Sequence, residues 1–466
     1  PAAPAPTAPM PAEVFAVLTV PSIDDDVPRL AAYLDQISPG LGAELRAELQ
    51  EPLARGVIDG SRPFHAVVLV PPPGEDEPDV LVVAATRDPA GLAKELAEEA
   101  EDEESVARFA GEWAVMGKPA VIDRAFAWAS TTLAAAPAPT RATAVLYAAP
   151  ARARWEAELR ASLDAPDSDV PAALREALLA LVEQTEKVEA FAELVDGDLV
   201  VEVVLTPRAD TTLARVLAAQ RPSTFALLER LPLEQPLGAM AGHLALGDHS
   251  RQVEDLAVAF IGSALAASSP ELGQRLSALV ETLFDVGTGE YAGVTDIAAQ
   301  AVLNAFGVRD AARVGVALDR VVDATRKLPM PPGIQLDVQR STHAGVSVGV
   351  GTLFAGKVAA ASGSWAAWDG TVAFALTDPD GELLRATVDG TRTPRAVPAD
   401  LARALADARR RGDSLLSLFD VLPGDEYPIA LALGVRSGSA YLWARVPAAQ
   451  AAALAAFRIN DDDDDE

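Results

Sequence analysis

The stretch FAVLTVPSIDDDVPRLAAYL, Phe15 to Leu34, decides the fold class. A short apolar run ends at a Pro-Ser turn, and the apolar residues that follow recur at helical spacing. The spacing predicts a strand leading into an amphipathic helix, opened near Asp26 and Pro28. Similar phrases begin at Val80 (VLVVAATRDPAGLAKEL), Thr143 (TAVLYAAPARARWEAEL), Leu199 (LVVEVVLTPRADTTLARVL), His243 (HLALGDHSRQVEDLAVAF) and Ser439 (SAYLWARVPAAQAAALAAF). Many repetitions of strand, turn and helix predict an α+β protein of mainly antiparallel sheet covered by Ala/Leu-rich helices.

Two echoes suggest duplication. The first pattern leads into SPGLGAELRAEL at Ser38, and the one at His243 leads into SPELGQRLSALV at Ser269. A second echo pairs the hairpin and helix from Pro63 to about Ala100 with those from Tyr427 to Phe457. The expected organisation is a Pro/Ala spacer over 1–12, a first α+β half over 13–220, a second half with extra helices over 221–458, and an acidic tail over 459–466. Two related halves also suit the length of 466 residues, beyond one ordinary core. Long helices are expected over Val170–Leu194 and Ser269–Phe284. A β-rich patch is expected over Ile334–Val388, with a hairpin at LTDPDGELL around Asp378. The helix from Pro398 should end at Arg409, Arg410 and Arg411, basic residues at the negative helix end, before a Gly412 cap.

The strand-helix-helix opening, the S-P-x-L-G junction and the phrase GTGEYAG from Gly287 resemble a family of bacterial exported proteins of unknown function that carry such a unit twice. The resemblance implies a duplicated α+β fold and assigns no activity or functional residue.

Composition excludes several classes of function. Sixty-eight acidic residues against 38 basic ones give a formal charge of -30, which repels phosphate backbones, so no nucleic-acid partner is expected. The chain has no cysteine, which removes thiol chemistry, disulfides and Cys-based metal sites. No apolar run approaches a transmembrane length. The opening PAAPAPTAPMPA reads as a spacer of the kind that follows a cleaved signal or an upstream lipid anchor. Export to the periplasm or cell surface is therefore the expectation.

Catalytic motifs can be extracted, and each has a plainer account. HAGVSVGVGTLFAGK from His343 holds G-x-S-x-G around Ser347 and G-x-x-x-x-G-K from Gly351 to Lys357. Val346, Val348 and Val350 alternate through Ser347, which is strand periodicity rather than a nucleophile elbow. Val358 stands where a phosphate loop needs Ser or Thr. Ser347, His343 and Asp337 could be assembled as a triad only on paper. His243 and His249, beside Asp248, would lie roughly 20 Å apart on one strand, too far to share an ion. His65 in FHAVVLV reads as a core or edge residue. The runs Glu98–Glu104 and Asp461–Glu466 read as solvated acidic surface. No catalytic, cofactor or metal residue is assigned, and no cofactor is expected. The expected function is a non-catalytic binding or assembly protein with a protein partner or self-assembly. A hydrolase with a site between the halves and a carrier of an apolar ligand are the alternatives. The carrier requires an apolar cavity larger than a packing defect.

Overall fold

Alternation of apolar side chains with period two lays down the strands, and every pairing described below is antiparallel. The structure is a computed structural model that describes residues 8–54, 57–72, 75, 77–99, 105–163, 172–232, 236–245, 270–296, 301–328, 330, 332–392, 397–420, 422 and 427–462. It divides into two compact units, Pro1–Leu213 with Trp443–Glu466, and Ala214–Leu442.

In the first unit the strands are β1 (Val14–Val20), β2 (Phe64–Leu69), β3 (Asp79–Ala85), β4 (Val106–Ala110), β5 (Trp113–Gly117), β6 (Ala142–Tyr147), β7 (Thr185–Val195) and β8 (Asp198–Pro207). They lie side by side in the order β4-β5-β3-β2-β1-β6-β7-β8. The helices are α1 (Ile23–Ile37), α2 (Leu41–Ala54), α3 (Pro89–Glu99), α4 (Pro119–Trp128), α5 (Ala148–Leu163) and α6 (Ala172–Gln184), and α7 (Thr212–Ala219) carries the chain into the second unit, to which all but its first two residues belong. Val67, Leu69, Leu81, Val83 and Val115 meet Val121, Ile122 and Ala125 of α4 in a buried apolar core. Burying each such Val, Leu or Ile is worth about 1.5–3 kcal/mol, which is why α4 is held against the sheet.

The second unit contains β9 (Pro236–His243), β10 (Gly287–Asp296), β11 (Ala301–Val308), β12 (Ile334–His343), β13 (Val346–Ala355), β14 (Val358–Trp368), β15 (Thr371–Leu376), β16 (Asp413–Phe419) and β17 (Ile429–Arg436). Their order is β17-β16-β9-β10-β11-β15-β14-β13-β12. Its helices are α8 (Pro270–Val286), α9 (Ala311–Arg326), α10 (Glu382–Arg392) and α11 (Ala399–Arg411). A last strand, β18 (Ser439–Val446), leads the chain back to the first unit, where α12 (Ala448–Asp462) packs on α1. There the Tyr33 hydroxyl donates to the Val446 carbonyl at 2.9 Å and Arg445 pairs with Asp198 at 2.6 Å.

The two units repeat one topology. Outward from β1 the neighbours are β2, β3 and β5 on one side and β6 and β7 on the other. Outward from β9 they are β10, β11 and β15, then β16 and β17. The S-P-x-L-G echo marks equivalent places, since α2 enters β2 as α8 enters β10. The second echo does not survive: β2, β3 and α3 match β10, β11 and α9 by pairing, whereas β17, β18 and α12 match β7, β8 and α7.

Other local expectations are corrected. Helix α1 is capped by Ser22, whose hydroxyl accepts from the Asp25 amide, and Pro28 lies inside the helix. The expected helix over Val170–Leu194 stops at Gln184, and Thr185–Val195 is strand β7, turned into β8 by Asp196 and Gly197, both at positive φ. Asp378 closes no hairpin. It sits before α10 and accepts from the Leu383 and Leu384 amides at 3.2 and 3.4 Å and from the Ser364 hydroxyl at 2.6 Å. Helix α11 does end at Arg411, on Gly412 in the left-handed conformation.

The two faces of the second sheet differ. Across eight strands one register row reads Val348, Ala366, Ala373, Ala305, Ala292, Ala241, Leu416 and Ala432, and every member is buried. Six of the eight are alanine, so helices can approach that face closely, and α10 and α11 pack on the sheet. On the opposite face the adjacent row reads Val372, Phe306, Tyr291, Gly242, Leu415 and Leu433. At its β15 end α8 and α9 cover Val372 with Leu279, Val314 and Leu318.

Candidate functional site: an apolar cavity in the second unit

At the other end of that row lies a cavity of about 330 Å³. Its floor is Gly242, Tyr291, Leu415 and Leu433, its wall includes Val216 and Leu217 of α7, and His243, Leu244 and Gly289 stand at the end of β9. At Gly242 the Leu415 side chain lies against the backbone: a Cβ there would stand 2.8 Å from Leu415 Cδ1 and 2.6 Å from the Ser414 carbonyl. Tyr291 is braced from behind by Phe306, with ring centroids 5.2 Å apart. Such a volume, on the order of ten water-sized spaces, exceeds a packing defect and falls within the range of small-molecule pockets.

Four polar side chains reach this cavity, and three have spent their hydrogen-bonding groups elsewhere. The Gln220 amide donates to the Val216 and Ala245 carbonyls at 3.0 and 2.5 Å and accepts from the Ala245 amide at 3.1 Å. The Tyr291 hydroxyl donates to Asn304 Oδ1 at 2.7 Å, and burial raises its pKa, so the phenol stays neutral. The Ser414 hydroxyl donates to the Arg221 carbonyl at 3.0 Å. Only His243 differs: its Nδ1 is buried and has no partner among the described residues.

Gly289 makes the imidazole's place. Its φ is +87°, and a Cβ there would stand 2.6 Å from the Leu244 carbonyl and 3.2 Å from His243 Nε2. The phrase GTGEYAG thus supplies Gly289 and Tyr291 of the cavity. Sequence reading considered His243 only as a metal ligand with His249 and missed this environment. His249 and Asp248 lie outside the described residues, and β9 ends at His243 rather than running on through HLALGDH.

The remaining candidates do not assemble a reaction centre. Ser347 lies in β13, exposed, opposite Thr342, and His343 is opposite Val346. Register therefore puts Ser347 on one face of the hairpin, and His343 and Asp337 on the other. His343 meets Asp389 at 2.9 Å, while Asp337 accepts from the Gln339 amide. Ser347 borders a shallow depression of about 220 Å³ with Asp319, Arg340 and Trp365, where Asp319 and Arg340 pair with each other. Gly351–Lys357 forms the end of β13 and a turn at Gly356, followed by a strand and not by the helix a phosphate loop requires. Gly349 is present because the Trp365 ring lies over it. His65 is buried, shares a 2.9 Å hydrogen bond with Thr19, and has its pKa lowered to about 4 by desolvation. Arg409, Arg410 and Arg411 are engaged by Glu229, Asp407 and Asp413 respectively. Among the described residues no group of three His, Asp or Glu side chains is placed to hold a metal ion. Among the same residues no helix is long and apolar enough to cross a membrane.

Compared with protein-family models, curated proteins and solved structures, the chain gives no match. The functional reading therefore rests on the geometry of the chain itself.

Proposed function

We propose that this protein is a non-catalytic binding protein that holds a small apolar ligand in the cavity of its second unit. The observation that carries this reading is the cavity of about 330 Å³, walled by Val216, Leu217, Leu415, Leu433, Val435 and Ala440. Apolar walls favour an occupant that leaves water, at roughly 25 cal/mol per Å² of apolar surface removed. The two hydroxyls on the cavity, Ser414 and Tyr291, donate to the Arg221 carbonyl and to Asn304 and not to His243, which argues for retention of a ligand over its conversion.

The test is organic extraction of purified protein with mass spectrometry, beside titration with the neutral fluorophore N-phenyl-1-naphthylamine. Wild type is expected to carry or take up one apolar molecule per chain, and Ala440→Trp, which fills the space, to take up none. Equal uptake by both proteins would end the proposal.

A second reading, association with a protein partner or another copy, draws on one observation. Met240 and Leu431 flank Ser417 across the same sheet face, and Phe419 lies beside them, all three at least 37% exposed. Light scattering checks it: a strictly monomeric wild type that draws no partner from its native source would remove this reading.

A further inference from the structure

We infer that the free edge of β12 is a self-association site, where two copies of the chain join their sheets as antiparallel neighbours about a two-fold axis at Val338. This edge lies at the end of the second sheet opposite the cavity, and the inference stands apart from the carrier reading. Strand β12 runs for ten residues, Ile334–His343, without Pro and in unbroken register with β13, its one strand neighbour among the described residues. Edges are commonly shortened, bulged or interrupted by Pro to prevent pairing, and a strand of this length without those devices is a template for another.

The turn fixes which groups are free. Ala344 and Gly345 join β12 to β13, both at positive φ, so His343 and Val346 form the hydrogen-bonded pair that closes a two-residue hairpin. From there the direction alternates: His343, Ser341, Gln339, Asp337 and Gln335 turn their amides and carbonyls to β13. Thr342, Arg340, Val338, Leu336 and Ile334 turn theirs outward. The Arg326 guanidinium of α9 marks that direction, since it donates to the Val338 carbonyl at 3.2 Å. Arg326 is exposed and must release this carbonyl for the central pair to form.

Self-complementarity favours a second copy over a foreign strand. Using all five outward residues at once sets Val338 opposite Val338, Leu336 opposite Arg340 and Ile334 opposite Thr342. The same register sets Asp337 of each copy opposite Gln339 of the other, and both residues are exposed. Within one chain Gln339 already donates to Asp337 Oδ2 at 2.8 Å, so pairing exchanges each such bond for one across the axis. No like charges face one another, whereas a centre at Asp337 or at Arg340 would set a charge against its own copy. From Ile334 to Thr342 the edge carries one acid and one base, on a chain whose formal charge of -30 otherwise drives copies apart.

The experiment is light scattering with sedimentation velocity on the full chain, from micromolar to submillimolar concentration, in about 0.15 M salt to screen the long-range repulsion. Wild type is expected to approach twice the chain mass as concentration rises. Gln339→Asp, which sets carboxylates opposite Asp337 in two symmetric places, should raise the dissociation constant about tenfold, and Gln339→Lys should lower it by a similar factor. Val338→Pro should abolish the dimer and leave the monomer folded, because Pro is tolerated where a strand's N–H faces away from its neighbour. Arg326→Ala should tighten the dimer. A wild type that stays monomeric throughout overturns the inference, even if it recruits a foreign protein at this edge. So does a dimer that none of these substitutions moves, which would put the contact on the Met240 patch or elsewhere. Gln339 is exposed, so its two variants decide the matter even if Val338→Pro does not fold.

Discussion

Gly289 and His243 lie together with no room for a side chain between them: a Cβ on Gly289 would reach within 3.2 Å of His243 Nε2 and 2.6 Å of the Leu244 carbonyl. The backbone of Gly289 also lies at φ +87°, where a side chain is strained by roughly 1–2 kcal/mol. Gly289→Ala is therefore expected to lower unfolding free energy by about 1–3 kcal/mol and to weaken probe uptake by shifting the imidazole. Urea unfolding and fluorophore titration measure both effects.

His65 gives the first unit a pH dependence whose sign follows from its burial. Its folded pKa of about 4 lies below the unfolded value near 6.5. Between those values the unfolded chain binds the extra proton, so stability is full above pH 6.5 and falls as pH drops toward 4, by about 3 kcal/mol in all. His65→Phe should lose this part of the slope. Unfolding midpoints at pH 7 and pH 4.5 for both proteins check it, and equal slopes would show that His65 is not its source.

Asp413 is fully buried, and its carboxylate is held by Arg411 at 2.6 Å and the Tyr441 hydroxyl at 2.5 Å. Burial nonetheless raises its pKa, against the pull of those two partners. Arg411→Ala leaves a buried carboxylate short of its counter-charge, and a loss of about 3–5 kcal/mol is expected. Tyr441→Phe should cost about 1–3 kcal/mol. Chemical denaturation of the two variants should place them in that order.

Ser347 and Lys357 stand exposed on strand and turn, without the geometry of a nucleophile or a phosphate cradle. Ser347→Ala and Lys357→Ala should each change stability by less than about 0.5 kcal/mol and leave ligand uptake at the wild-type level. A panel of ester and nucleotide substrates should show no turnover lost with either substitution.

The duplicated α+β plan was legible because strand periodicity and the S-P-x-L-G junctions are local signals. Strand β7 was hidden because Val188, Phe191, Ala192 and Val195 fit helical spacing, while Glu189 and Glu193 read as a solvated helix face. The Asp196-Gly197 turn was the clue that should have decided for a hairpin. At Asp378 the turn residues were recognised, but the chain beyond them turns into a helix and not a strand. The cavity could not be read from sequence at all. It depends on pairing that sets Tyr291, Gly242 and Leu415 of three separate strands side by side, and on Gln220 and Ser414 turning their polar atoms elsewhere. The GTGEYAG phrase was noticed for its likeness to other chains, when its physical content is a glycine at positive φ beside an imidazole.

Helix α12 packs on α1, so the first unit takes one of its parts from the far end of the polypeptide. On a ribosome, residues 1–213 would emerge long before Trp443 is made, and the α1 surface that receives α12 would wait uncovered through synthesis of the whole second unit. The second unit lies between those two pieces in one continuous run, Ala214–Leu442, and can close as soon as it has emerged. The order of maturation is thus opposite to the order of translation: the portion made later finishes first, and a chain halted before Trp443 would have a complete apolar cavity attached to an unfinished neighbour.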